Sequence, residues 1–181
     1  MKLINIFTCF SFLLLTSFCM GQNNVSDFSF SKNRILNDEN IELVKKSIEK
    51  NDFRISFDKA EIPKQLFEIF YKWKNDPFLI ANPNEKFNAT DEINNSLPNR
   101  QLTSIFQNKE YLILNYKHGG FGFHHHIIWC KIDNDKISDI WICTTSNHID
   151  NYLILKENIE NFTRIISLKN GQKIKLNSLC F

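Results

Sequence analysis

The clearest pattern in this chain is a series of apolar runs between residues 101 and 145. Four segments rich in Ile, Leu, Phe, Tyr and Trp follow one another: QLTSIFQ, EYLILNYKH, FHHHIIWCKID and KISDIWICTT. Short breaks separate them, at 108–109, at the glycine-rich 119–122 and at 134–135. Because breaks of this length join antiparallel neighbours, the pattern predicts a four-stranded meander.

Helical periodicity lies on both sides of these runs. Apolar positions three and four residues apart predict helices over about 39–50, 63–73 and 156–169, and Asp38 is placed to cap the first of them. Residues 53–57 alternate strictly, as a half-buried strand does. The expected fold class is α+β: a four-stranded antiparallel meander sheet over about 101–145, packed on one face by helices.

Two further segments are less regular. Residues 74–100 are polar, contain Pro77, Pro83 and Pro98, and show no period. A connection of this length is unusual in a compact domain, so it either wraps the surface as an ordered loop or carries function. Residues 173–176 alternate and can add an edge strand.

The N-terminus has the pattern of an export signal. Lys2 is followed by an uncharged apolar stretch, and Cys19-Met20-Gly21 puts small side chains at the −3 and −1 positions of a cut before Gln22. We therefore predict a cleaved signal peptide at 1–21 and a single globular domain at 22–181, exported to the periplasm or secreted. An uncleaved anchor and a lipid anchor on Cys19 are the alternatives.

Composition narrows the partners. Loss of Lys2 with the leader would leave 21 basic and 20 acidic side chains, and this balance disfavours nucleic acid as a partner. No segment of the mature chain reaches the length of a membrane span. Three cysteines would remain, Cys130, Cys143 and Cys180, so at most one disulfide forms within the chain. An unidentified protein or a small molecule is the expected partner.

Four of the five histidines lie within a nine-residue span, at 118 and 124–126. If residues 119–122 form the turn and 134–135 the next one, strand pairing places His124, His126 and Cys143 on one face. Imidazole and thiolate are ligands that zinc accepts, with water or Asp139 completing the shell. This predicts a zinc site, although a one-residue slip would move Cys143 to the other face. The alternative is a row of ordinary strand histidines.

The same strands also contain candidates for a catalytic cysteine–histidine pair and for ligand contacts. Cys143 beside His126 could form a thiolate–imidazolium pair oriented by Asn115, but a cysteine within WICTT more often simply packs. Phe121 at the tip of the glycine turn, Trp141 on the polar face and Asn115 are the candidate ligand-contacting residues. The sequence therefore favours a non-enzymatic binding or interaction module. The alternative is a metal-binding protein or small hydrolase centred on His124, His126 and Cys143.

Overall fold

The computed structural model describes residues 31–75, 77–91, 94–120, 124–162, 165–167 and 173–175. The predicted leader, Phe121 and Cys180 lie outside these ranges. The helices are α1 (Lys32–Leu36), α2 (Ile41–Ser47), α3 (Lys64–Lys74) and α4 (Tyr152–Glu160). The strands are β1 (Arg54–Ser56), β2 (Arg100–Gln107), β3 (Tyr111–His118), β4 (His124–Asp133), β5 (Lys136–Thr145), β6 (Ile165–Ser167) and β7 (Lys173–Lys175).

The main sheet has five strands in the order β1-β2-β3-β4-β5, and all its neighbours are antiparallel. The α+β class and the meander predicted for 101–145 are confirmed. The alternating segment at 53–57 supplies the fifth strand, β1, at the sheet edge beside β2. Strands β6 and β7 pair with each other in a separate two-stranded sheet.

The last helix differs from its prediction over 156–169. It begins at Tyr152, where the side chain of Asn151 caps the helix by accepting a hydrogen bond from the backbone N–H of Ile154 at 3.1 Å. Helix α4 ends at Glu160, and residues 165–167 form strand β6 instead. Residues 152–155 are therefore helical because a capping asparagine precedes them.

Helices cover both faces of the sheet, not one face as predicted. The first face carries Leu112, Leu114, Tyr116, Ile128, Cys130, Ile140 and Ile142 against α1, α3 and residues 78–80. The second carries Phe106, Ile113, Ile127, Trp129, Trp141 and Cys143 against α2 and α4. The central strands are apolar on both sides for this reason, as strands buried on both faces are.

The predicted strand register is wrong at two points. His118 pairs with His124 rather than with Phe123, so the connection between β3 and β4 is one residue longer than expected. The turn at Asn134-Asp135 forms as predicted, and both residues have positive φ. Beyond it, however, Ser138 is an extra residue between the Ile132–Ile137 and Lys131–Asp139 pairs. A one-residue shift moves every side chain beyond it to the other face.

Helix α1 and the segment that joins it to α2 lie along the outer edge of β5. Arg34 forms an ion pair with Asp139 at 2.8 Å, and the side-chain amide of Asn40 donates to the carbonyl of Ile140 at 3.1 Å. Asp38 does not cap α2: it has φ of 53° and accepts a hydrogen bond from the indole N–H of Trp141 at 3.0 Å. These contacts protect an otherwise exposed sheet edge.

Candidate functional site

Trp141, predicted to lie on an open polar face, belongs to the core. Its side chain is fully buried on the second face, and its ring meets that of Phe162 edge-on at 4.9 Å. Its indole N–H is already bonded to Asp38. Trp141 therefore links the α1–α2 connection and the residue Phe162, which follows α4, to the sheet.

Asn115 and Cys143 are also buried on the second face. The Asn115 amide donates to the Ser104 hydroxyl at 3.0 Å, and that hydroxyl donates to the carbonyl of Ile149 at 2.6 Å. Cys143 lies opposite Ile127 and is only 3% exposed. The predicted partner of Cys143, His126, lies on the first face, so the structure does not bring the thiol and the imidazole together.

The first face instead gathers three histidines at one end of the sheet, which we call the histidine cluster: His118, His124 and His126. Their ring centroids are 4.6 Å apart for His124 and His126, 5.5 Å for His118 and His124, and 6.0 Å for His118 and His126. The shared face follows from the His118–His124 pair and the two-residue period of β4. Two of the three predicted zinc ligands thus lie together, and His118 joins them in place of Cys143.

The imidazoles of His126 and His118 have different environments. His126 is fully buried, stacks on Tyr116 at 4.7 Å, and makes no hydrogen bond through either ring nitrogen to any described residue. Burial, helped by the neighbouring charges, lowers the pKa of His126 to about 2. The Nδ1–H of His118 donates to the carbonyl of Gly119 at 2.7 Å, and burial lowers the pKa of His118 as well. His118 and His126 are therefore neutral at ordinary pH.

The other two histidines lie on the second face. His125 is buried beside His148, with ring centroids 5.4 Å apart, and burial lowers the pKa of His125 to about 4. His148 is exposed and lies 3.9 Å from a carboxylate oxygen of Asp150. Within the described ranges, no three His, Cys, Asp or Glu side chains are arranged as they stand to hold a metal ion.

Asp139, considered as an additional ligand, is remote from the histidines. It pairs with Lys131, five positions along β4 from His126, a distance of roughly 16 Å at the rise of a strand. Its carboxylate binds Arg34. The role of Asp139 is to fasten α1 to the sheet.

The long connection between α3 and β2 is ordered where it is described, and it supports the histidine end of the sheet. The Asn88 side-chain amide donates to the carbonyls of Asn94 and Leu97, each at 3.0 Å, and to the side chain of Asn99 at 2.7 Å. The backbone N–H of Gly119 in turn donates to the carbonyl of Asn99 at 3.0 Å. The loop is therefore built around one buried asparagine.

The same connection forms one wall of an apolar groove, the second candidate site. The groove has a volume of about 750 Å³ and lies between α3 and the Pro77–Ile80 segment. Phe67 and Tyr71 of α3 line one side, Leu79 lines the other, and the buried ring of Phe78 forms the floor. Phe78 stacks on Phe70 at 4.8 Å. Tyr71 and Leu79 are large apolar side chains that remain 54% and 59% exposed.

The charges around the apolar groove compensate one another. The Lys59 ammonium binds the Glu85 carboxylate at 2.6 Å. Glu68 and Lys72, also at the rim, have opposite charges and are four residues apart on α3. The groove therefore presents an apolar interior with an electroneutral border.

Sequence reasoning missed the groove, although a signal was present. Residues 77–81, PFLIA, are the longest apolar run in the polar 74–100 connection. An apolar run directly after an amphipathic helix tends to fold back onto that helix, because both have apolar surface to bury. That Tyr71 and Leu79 remain exposed could be recognised only from the structure, which shows how the 77–80 segment packs against α3.

No protein-family model matches this chain, and no curated protein and no solved structure matches it either. Among the helices in the described residues, none is both long and apolar enough to cross a membrane. The site's own geometry must carry the functional argument.

Proposed function

We propose that this chain is an exported binding protein for a small, uncharged apolar molecule, and that the apolar groove is its binding site. The observation that carries the proposal is the exposed apolar surface of Tyr71 and Leu79 on either side of a groove of about 750 Å³. Small-molecule sites are typically concave, mostly apolar and roughly 300–1,000 Å³ in volume. Export is a prediction from the leader sequence and supports a role in binding rather than in cytosolic chemistry.

The chemistry of the ligand follows from the lining. The floor and walls are aromatic and aliphatic, so binding gains free energy from apolar area removed from water, about 25 cal/mol per Å². The Lys59–Glu85 ion pair and the opposite charges of Glu68 and Lys72 leave no net charge to attract an anion or a cation. An alkyl or aryl compound with an uncharged polar end fits this surface best.

The second predicted function, a hydrolase using Cys143 and His126, loses its geometric support. The thiol and the imidazole lie on opposite faces of the sheet, and a nucleophile must lie within hydrogen-bond reach of its base. A binding role needs no such pair.

The test is a titration of the purified protein with N-phenyl-1-naphthylamine, a neutral probe that fluoresces in apolar surroundings. We expect saturable binding, displacement by 1-decanol, and weaker displacement by decanoate because the rim of the groove carries no net positive charge to compensate a carboxylate. Leu79→Lys should weaken probe binding at least about tenfold, the effect of 1.4 kcal/mol.

Leu153→Lys is the matched control, because Leu153 is 77% exposed on α4 and does not line the groove. Equal binding by the wild type and Leu79→Lys would contradict the proposal. So would apolar probe binding that occurs only as the protein self-associates, since that result would make the groove an interface between copies of the chain.

A further inference from the structure

The histidine cluster contains a buried polar group whose bonding capacity is unused among the described residues. His126 is fully buried, and neither its Nδ1 nor its Nε2 makes a hydrogen bond within the described part of the chain. A neutral imidazole carries one N–H donor and one lone pair, and buried polar groups of folded proteins nearly always use them. The lone pair of His126 is therefore available to a ligand.

Besides Tyr116, two further imidazole rings lie beside His126. The centroid of His126 lies 4.6 Å from that of His124 and 6.0 Å from that of His118. Two imidazoles that bind one ion through bonds of about 2.1 Å have centroids roughly 4.5–5.5 Å apart. The His124–His126 and His118–His124 spacings fall within this range, and the His118–His126 spacing lies just beyond it.

The protonation states of His118 and His126 also suit metal binding. Metal ions bind imidazole only in its neutral form, and burial lowers the pKa values of both His118 and His126. Because a carbonyl can only accept, the contact of His118 Nδ1 with Gly119 O at 2.7 Å puts the proton on Nδ1. Nε2 of His118 then carries a lone pair, and a backbone carbonyl fixes its tautomer as in many metal sites.

From these observations we infer that the histidine cluster binds a divalent transition-metal ion of the class that prefers imidazole, with His124, His126 and Nε2 of His118 as ligands. Since no three side chains in the described ranges converge as a metal site does, binding requires the ring of His124 to turn, while His118 keeps its bond to Gly119. The His124 ring is only half-buried, and rotation about the Cβ–Cγ bond of histidine has broad minima. The site is separate from the apolar groove and stands independently of the proposed function.

The positive charge of Arg100 influences how tightly the histidine cluster should bind a metal ion. Arg100 lies opposite His118 in β2, and its positive charge contributes to the lowered pKa values of His118 and His126. The same repulsion acts on a bound cation and weakens its binding. We therefore choose Cu²⁺ as the probe, because it binds nitrogen ligands most tightly among the first-row divalent ions.

The experiment is a Cu²⁺ titration of the purified protein, followed by electron paramagnetic resonance. We expect one Cu²⁺ per chain and hyperfine structure from two or three imidazole nitrogens. His124→Gln and His126→Phe should each lower the affinity at least about tenfold, a change of the size seen even for residues around a ligand shell. His126→Phe retains an aromatic ring against Tyr116, and urea unfolding verifies that both variants are folded.

His148→Gln is the control, because His148 is an exposed histidine on the opposite face and its loss should leave binding unchanged. Three results would overturn the inference: no bound Cu²⁺ at 50 µM total metal, a spectrum without imidazole nitrogens, or folded His124→Gln and His126→Phe proteins that bind as the wild type does.

Discussion

The buried histidines make the stability of this protein depend on pH above the range in which carboxylates titrate. Burial lowers the pKa of His125 to about 4 and that of His126 to about 2, whereas histidine in an unfolded chain titrates near about 6.5. Below that pH each of these two residues binds a proton in the unfolded chain that it does not bind in the folded chain. The free energy of unfolding therefore falls as the pH drops below about 6.5, and this loss continues until the folded pKa of each residue is reached.

The size of the effect follows from linkage. Each histidine loses about 1.4 kcal/mol per pH unit once the unfolded form is protonated, which amounts to about 2 kcal/mol between pH 8 and pH 5. Both histidines together should cost about 4 kcal/mol over this interval. For a small domain this is a large part of a total stability of about 5–15 kcal/mol.

Urea unfolding at pH 8, 6.5 and 5 in the presence of EDTA measures this dependence on metal-free protein. His126→Phe removes one of these two groups, so the loss between pH 8 and pH 5 should shrink by about 2 kcal/mol. His148→Gln should reduce the loss only slightly, because His148 is itself exposed and lowers the pKa of the neighbouring His125 less than burial does. If His126→Phe showed the same pH dependence as the wild type, the burial of His126 and the reasoning built on it would be refuted.

Three further changes test close contacts and hydrogen bonds that hold the fold together. Gly119→Ala should be strongly destabilising, because a Cβ there would lie 1.7 Å from the backbone oxygen of Asn88. The Cβ of Gly120→Ala would meet no atom within 4 Å, so this change should cost only its φ strain, about 1–2 kcal/mol. Thermal unfolding compares the two variants. Asn88→Ala should make the 77–99 loop sensitive to proteolysis, since it removes the hydrogen bonds to Asn94, Leu97 and Asn99, and a loop as resistant as in the wild type would contradict this. Ser47→Ala should cost about 1–3 kcal/mol in urea unfolding, because it leaves the buried indole N–H of Trp129, now 2.8 Å from the Ser47 hydroxyl, without an acceptor; a cost near zero would count against that bond.

Several features of the fold could be predicted from local patterns because their causes are local. The strand runs at 101–145 and the Asn134-Asp135 turn depend on neighbouring residues alone, as does the amphipathic pattern of α3. The α4 bounds were predicted less well, since the capping role of Asn151 competes with the periodicity of the residues that follow it. The apolar groove requires two segments to meet, and no local pattern encodes their meeting.

The sequence by itself determined that this protein has an antiparallel meander with helices around it and a concentration of histidines at one end of the sheet. Only the tertiary structure decided which histidines share a face and that Cys143 and Trp141 lie in the core of the other. The physical reason is the two-residue period of a strand: one additional residue in the 119–123 connection and one at Ser138 reverse the faces. Such single-residue shifts are decided by packing on both sides of the sheet, against α1 and α3 on one face and α2 and α4 on the other.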